Sequence, residues 1–318
     1  MNYANDNGLL DKFLPKSKNG YTLSHNRYEY FEDGGTVYPY SFEPFYQLAT
    51  QTFKEFEVDS ENKWFKSVDG VLFSKDGKRL VYYPSAKGLT TYEIPEGCVY
   101  CDGGAFYASG ADESFYSIVY PQITDYTSSM LSYGGEGKLK EIIIPDTFIN
   151  YSPVEMRDMF GPATINMTGN MIENMCNYFS TISKITAKST HPLYKNDGDW
   201  LLSKDGSVLQ CVLIGMHGEM RIPDSVTTIA DGAIGPPNAP WSDSDYSKLS
   251  PANYRSYSQM FCDLTIIVPP SVVNMSNATL FALNILSNST TYKTSVILED
   301  GNPAFTQDSL TGLISRIS

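Results

Sequence analysis

Short apolar runs, each stopped by proline, set the rhythm of this chain. Ile142-Ile143-Ile144-Pro145 and Ile266-Ile267-Val268-Pro269 are the plainest, with Glu93-Ile94-Pro95 and Arg221-Ile222-Pro223 as shorter copies. β-Branched residues favour a pleated, half-buried strand, and proline ends it because it has no N–H to give to the ladder. Each run therefore predicts one short strand. A second pattern precedes these strands: two apolar stretches flank a polar Lys-Asp-Gly in Asp69–Tyr83, and the same order returns in Trp200–Leu209. An Asp-Gly step supplies the positive φ angles of a tight turn, so each stretch predicts a β-hairpin.

The two patterns keep register with each other. Phe73-Ser74-Lys75-Asp76-Gly77, Ile94-Pro95 and Gly104-Ala105-Phe106 recur as Leu202-Ser203-Lys204-Asp205-Gly206, Ile222-Pro223 and Gly232-Ala233-Ile234. The offset is 129 at the turn (203 minus 74) and 128 at both later landmarks (222 minus 94, 232 minus 104). Repeats of this kind stack similar units instead of closing one core, and such folds usually bind rather than transform. Asn302-Pro303-Ala304-Phe305 stands where His191-Pro192-Leu193-Tyr194 precedes the second hairpin, which marks the start of a third unit. The expected organisation is residues 1–55 as an aromatic N-terminal cap or docking segment, 56–182 and 183–295 as two modules, and 296–318 as a truncated third module that caps the C-terminal end. Residues 1–55 are too rich in aromatics, as in Tyr38-Pro39-Tyr40-Ser41-Phe42, for a disordered tail.

The residues from 221 to 233, read as strand-Ile-Pro-Asp-Ser-Val-x-x-Ile-x-x-Gly-Ala, resemble the BspA-like leucine-rich repeat family, as do Phe261-Cys262-Asp263-Leu264-Thr265 and the Asp-Gly-Val-Leu-Phe-Ser-Lys-Asp-Gly hairpin. Cys176-Asn177-Tyr178-Phe179 is similar to a weaker copy of the family's Cys-x-x-Leu element. The resemblance spans roughly residues 56–305, densest over 69–106 and 198–234. It implies a mainly β, right-handed leucine-rich-repeat solenoid with short helices, and a cell-surface protein that adheres to host or bacterial partners. Relatives carry an export signal and regular repeats of about 23 residues. This chain shows neither.

Composition narrows the partners. With 42% apolar residues the chain can fill a continuous core. Its 23 basic against 36 acidic residues give a formal charge of −13 without any basic cluster, which argues against nucleic acid and anionic membranes. No apolar run approaches the roughly 18–20 residues of a membrane-spanning helix, and Met1–Gly20 lacks the continuous apolar stretch of a secretory signal. The expected location is the cell surface if a leader has been removed, and otherwise a virion surface.

Chemistry finds few footholds. Five cysteines (Cys98, Cys101, Cys176, Cys211, Cys262) make no disulfide framework. The Cys98-x-x-Cys101 spacing falls opposite Val226 and Ile229 in the repeat, so both read as small buried apolar residues rather than metal ligands. His191 shares its position with Asn302, which points to a turn role; His217 lies in a Gly-Met-His-Gly loop, and no Gly-x-Ser-x-Gly exists to pair with it or with His25. Asp112-Glu113 and Asp243/Asp245 are adjacent carboxylates with nothing to set the facing geometry of a glycosidase. No cofactor and no catalytic residue is expected.

The stronger functional signal lies where the repeat is interrupted. The first module runs through 107–138 before resuming at Leu139, and the second through 235–259 before resuming at Met260, at the same point of the repeat. The first insertion holds Tyr107, Phe115, Tyr116, Tyr120, Tyr126 and Tyr133; the second holds Trp241, Tyr246, Tyr254 and Tyr257, all among Ser, Gly, Asn, Asp and Pro. Aromatics give contact area at low entropic cost while small polar residues supply adaptable hydrogen bonds. These ten residues are the candidate binding surface for a protein or glycan. The competing use is that they fold back over the repeat body, since the chain has 23 Tyr in all. Two other functions fit the sequence: a phage tail or head appendage that docks or self-associates through residues 1–55, and a carbohydrate-active enzyme.

Overall fold

The structure is a computed structural model that describes residues 30–33, 36–39, 55–84, 87–102, 105–106, 139–160, 169–176, 182–213, 215–234, 264–287 and 294–317. The described residues are mostly β, with a few short helices. Strands β1 (Tyr30–Asp33) and β2 (Thr36–Pro39) pair antiparallel, and the repeat begins after them.

The first module opens with β3 (Phe65–Val68), β4 (Val71–Ser74) and β5 (Arg79–Tyr82), joined antiparallel, and β7 (Tyr100–Cys101) adds to β5 in parallel. Asp69 and Gly70 close β3 onto β4 with φ of 49° and 74°, the two left-handed positions that a two-residue hairpin turn demands. The second module repeats this order with β10 (Tyr194–Asp197), β11 (Trp200–Ser203), β12 (Val208–Leu209) and β14 (Thr228–Ile229).

The two Ser-Lys-Asp-Gly turns share three bonds. The Ser74 hydroxyl donates to Asp76 Oδ1 (2.7 Å), which also accepts from the Lys78 N–H (3.0 Å), while Lys75 Nζ donates to the Ser60 carbonyl (2.9 Å). In the second module Ser203 donates to Asp205 (2.6 Å), Asp205 accepts from the Ser207 N–H (3.0 Å), and Lys204 reaches the Ser189 carbonyl (3.0 Å).

Each module then lays down three parallel strands. In the first these are β6 (Thr91–Glu93), β8 (Glu141–Ile144) and β9 (Lys184–Ala187); in the second, β13 (Gly218–Arg221), β15 (Leu264–Val268) and β16 (Ser295–Leu298). Tyr92, Ile142 and Ile185 form one inward row, and Ile266 and Val296 occupy the matching row beside the half-buried Met220. Each fully buried side chain of this size contributes about 1.5–3 kcal/mol. The strands stop before Pro145 and Pro269, as the missing N–H requires.

The parallel ladder is not continuous between modules. Among the described residues no strand pairing joins β9 to β13, because the β10–β11 hairpin lies between them. The outer edge of β9 is satisfied by a side chain: Ala187 N–H donates to Asn196 Oδ1 (2.8 Å), and Asn196 Nδ2 donates to the Ile185 carbonyl (2.7 Å). Trp200 Nε1 on the other hairpin strand donates to the Arg221 carbonyl of β13 (2.9 Å). Gln307 performs the task of Asn196 one unit later, accepting from Leu298 N–H (2.9 Å) and donating to Val296 O (2.7 Å). It lies on β17 (Phe305–Gln307), which pairs antiparallel with β18 (Ile314–Arg316) as the hairpin of the third unit.

Helices follow the central strand of each parallel sheet. Helix α1 (Pro153–Phe160) starts with a reciprocal cap in which Glu155 N–H donates to Ser152 Oγ (3.3 Å) and Ser152 N–H to Glu155 Oε2 (2.7 Å). Ser276 caps α3 (Asn277–Ser287), accepting from the Thr279 N–H (3.1 Å), 124 residues further on (276 minus 152). Between them, α2 (Met171–Met175) is capped by Asn170, whose N–H donates to the Gly232 carbonyl (2.8 Å) and whose Nδ2 reaches Gln210 O (2.6 Å). Gly232, at φ +68°, has no room for a side chain there: a Cβ would sit 2.5 Å from the Asn170 nitrogen. The modules are thus bonded through backbone as well as through a shared apolar core.

Candidate functional site

Both insertions leave the scaffold from equivalent buried anchors. Tyr83 N–H donates to the Ala105 carbonyl (2.8 Å) in the first module, and Val212 N–H donates to Ala233 O (2.8 Å) in the second. Phe106, the last described residue before the first insertion, donates its N–H to Met175 O (3.0 Å) and stacks on Tyr83 with ring centroids 5.3 Å apart. Ile234 holds the matching place and is equally buried. The described chain resumes at Leu139 and Leu264, both fully buried at the N-terminal ends of β8 and β15. The candidate binding residues themselves, Tyr107, Phe115, Tyr116, Tyr120, Tyr126 and Tyr133 in the first insertion and Trp241, Tyr246, Tyr254 and Tyr257 in the second, lie outside the described residues.

The two parallel sheets also present exposed faces. Across the first, Thr91, Glu141 and Lys184 form one row and Glu93, Ile143 and Thr186 the next. Across the second the rows are Glu219, Thr265 and Ser295, then Arg221, Ile267 and Ile297. Thr265 and Ser295 hydroxyls meet at 2.9 Å.

An ion pair spans the central strand of each sheet. Lys188 Nζ lies 2.8 Å from Glu93 and also bonds Glu96. In the second sheet Arg221 holds Glu299 through two bonds (2.7 and 2.8 Å) and Asp224 through a third (2.7 Å). The carboxylate bonds raise the affinity of Lys188 for its proton, and hydrogen bonding to Arg221 keeps Asp224 and Glu299 below the ordinary carboxylate range.

Of the described groups that could carry chemistry, His191 and the buried cysteines are occupied in folding. His191 is buried, and its Nδ1 accepts from the N–H of Leu193 (3.1 Å) and of Tyr194 (3.2 Å). Asn302 Oδ1 accepts from Ala304 and Phe305 (both 2.9 Å), and Asn62 Oδ1 from Trp64 and Phe65 (both 2.9 Å). Three residues therefore cap three hairpins identically, and the Asn62 copy is not legible in the repeat because the likeness between modules begins only at Asp69. His217 Nδ1 lies 3.2 Å from the Gly215 carbonyl at the surface, and His25 lies outside the described residues.

Cys98, Cys101, Cys176 and Cys211 are free and buried, and burial pushes the thiols of Cys101, Cys176 and Cys211 well up. A thiol held neutral is a poor nucleophile and a poor metal ligand. Cys98 Sγ donates to Tyr100 O (3.4 Å), and among the described residues no three His, Cys, Asp or Glu side chains are grouped to hold a metal ion. Cys262, Asp112, Glu113, Asp243 and Asp245 lie outside the described residues. No described helix is long and apolar enough to cross a membrane.

No protein-family profile matches the chain, and no curated protein does. Two solved structures are similar. One is the pneumococcal vaccine antigen PcpA, at 16% identity over 78% of this chain and 50% of that one, with a TM-score of 0.28. The other is a leucine-rich repeat protein from Eubacterium ventriosum, at 14% identity over 61% of this chain and 52% of that one, with a TM-score of 0.23. The chain spans about half the length of each. Likeness at that level assigns neither a fold nor a function by itself.

Proposed function

We propose that this chain is a non-enzymatic recognition protein that works outside the cell, a leucine-rich-repeat solenoid of BspA-like type whose two aromatic insertions bind a protein or a glycan. In this reading residues 56–182 and 183–295 are the two modules, 296–318 cap the C-terminal end and 1–55 the N-terminal end. The observation that carries it is the equivalence of the anchors. Phe106 and Ile234, 128 residues apart (234 minus 106), are the buried residues from which the two insertions depart at the same point of a repeated scaffold. A rigid body that tolerates long, tyrosine-rich detours at one repeated position is the arrangement by which loops on a framework carry binding. The capping role of His191 and the neutral thiols of Cys101, Cys176 and Cys211 support binding over catalysis in this reading.

Replacing Trp241, Tyr246, Tyr116 and Tyr120 together by Ala tests this. Binding to a glycan array and to a panel of extracellular proteins is measured alongside the circular dichroism spectrum. Loss of every interaction with an unchanged spectrum is expected; retained binding removes the insertions from the recognition surface.

A further inference from the structure

The ion pairs that span the two parallel sheets occupy equivalent positions with opposite polarity. Glu93 and Arg221 are 128 apart (221 minus 93), as are Glu96 and Asp224 (224 minus 96), while Lys188 and Glu299 are 111 apart (299 minus 188). The last offset is the one at which Asn302 repeats His191 (302 minus 191) and Gln307 repeats Asn196 (307 minus 196). The first strand of one module is thus negative and its closing residue positive, and in the other module the signs are exchanged.

We infer that this inversion keeps the two modules from exchanging strands, within one chain or between two copies. The hazard comes from the likeness of the sheets. Their registers are the same, and their inward rows are apolar throughout, with Tyr92, Ile142 and Ile185 in one and Met220, Ile266 and Val296 in the other. Strand β13 can therefore replace β6 beside β8 without moving a polar side chain into the core. Backbone pairing does not discriminate either, since every parallel pair offers the same N–H and C=O groups.

The outward rows do discriminate. With β13 beside β8 and β9, Arg221 meets Lys188; with β6 beside β15 and β16, Glu93 meets Glu299. The second exchange replaces attraction by repulsion outright, because Glu96 is acidic as well; in the first, Asp224 travels with Arg221 and offsets part of the repulsion on Lys188. The other row adds a third conflict, because β13 beside β8 sets Glu219 directly opposite Glu141, whereas the native partner of Glu141 on that side is Thr91. Like charges directly opposite on a sheet are destabilising, and building repulsion into the wrong pairing is a general route to specificity. Exposed pairs of this kind add little to stability, so the greater effect falls on which strands associate during folding, when repeats joined in one chain are prone to misassembly.

Four full-length proteins decide the point: wild type, E93R/K188E, R221E/E299K, and the combination of all four changes. Each double variant gives its module the charge arrangement the other module already uses, so each keeps its own ion pair. Both nevertheless make the two modules alike in sign. The combination restores opposite polarity with the modules reversed. The proteins are refolded from urea over a range of concentrations, and the misassembled fraction is read by size exclusion with light scattering and by recovery of the near-ultraviolet circular dichroism. The double variants are expected to raise that fraction on the order of tenfold, and the combination to return it to the wild-type level. Double variants that refold like wild type overturn the inference, and so does a combination that misassembles as much as they do, since the fault then lies in local packing rather than in matched polarity.

Discussion

The first and second modules solve the same folding problem with different side chains at three places. Where the first has a buried Arg79–Asp102 ion pair, the second has Val208 and Ala230, at offsets of 129 and 128 (208 minus 79, 230 minus 102). Where the first packs Tyr83, Tyr92 and Phe106 as a ring cluster with centroids 4.9–6.2 Å apart, the second has Val212, Met220 and Ile234. Where Asn62 caps the first hairpin, His191 caps the second. The backbone bonds around all three are shared. What the repeat holds constant is therefore the hydrogen-bond scaffold of turns and caps, and the core that fills it is interchangeable within its volume.

The ion pair gives the sharpest test of that claim. Asp102→Ala leaves the guanidinium of Arg79 buried without its carboxylate, and we expect a loss of about 3–5 kcal/mol in urea denaturation. Arg79→Val with Asp102→Ala installs the pair that the second module already uses at these positions. That double variant should unfold at the wild-type midpoint or above it, because a buried pair replaced by apolar groups is commonly neutral or stabilising. A double variant as weak as the single one would mean that the two modules differ in packing around β5 and β7.

The cap comes next in size. His191→Ala removes the acceptor for Leu193 and Tyr194 and should cost about 1–2 kcal/mol at pH 7.5. His191→Asn should hold, since Asn does this work at positions 62 and 302. The pair separates further with pH. Burial lowers the His191 pKa from its ordinary value, with the Lys204 charge acting in the same direction. The folded state therefore binds fewer protons than the unfolded state just below about pH 6.5, and stability falls as pH drops from there toward the folded pKa. Urea midpoints measured between pH 7.5 and 5 should decline for wild type and show no such slope for His191→Asn.

The scaffold was legible in the chain because turns and strand ends use residues that nothing else replaces: Gly at positive φ, Pro after a strand, Asp beneath a turn. The cores were less so. Arg79 and Asp102 are 23 residues apart (102 minus 79) and face apolar residues in the repeat alignment, which hides a salt bridge behind a mismatch. The inverted ion pairs were invisible for a related reason: matching by identity scores Glu93 against Arg221 as a difference, and the offset changes from 128 to 111 before Lys188 and Glu299 are reached. The serine caps of α1 and α3 are written as Ser-x-x-Glu and Ser-x-x-Thr but lie outside the stretches where the two modules resemble each other. Of the proposed recognition site, the insertions are legible in the sequence and the departure points Phe106 and Ile234 come from the structure.

The smallest expected difference lies in the Ser-Lys-Asp-Gly turns, where the modules come closest to identity. Hydrogen bonds from Ser203, then from the Ser207 N–H and hydroxyl, bring Asp205 down to about 2. Burial works against Asp76, yet the Ser74 hydroxyl, the Lys78 N–H and the charges of Lys78 and Lys66 still hold it below its ordinary value. A carboxylate whose folded pKa is depressed contributes stability that is fully present above its unfolded value, near 4, and is lost as pH falls through the folded one. Asp205→Asn keeps the acceptor oxygen and removes the charge, so its urea midpoint should lie slightly below wild type at pH 5 and converge with it near pH 2. Asp76→Asn should follow the same course with a smaller gap, because position 78 is Lys and supplies no counterpart to the Ser207 hydroxyl. Parallel curves of unequal height would show one turn built twice with a single bond's difference. Curves that diverge in shape would mean that the unfolded chain treats the two turns differently, an effect that no likeness between the folded turns can reveal.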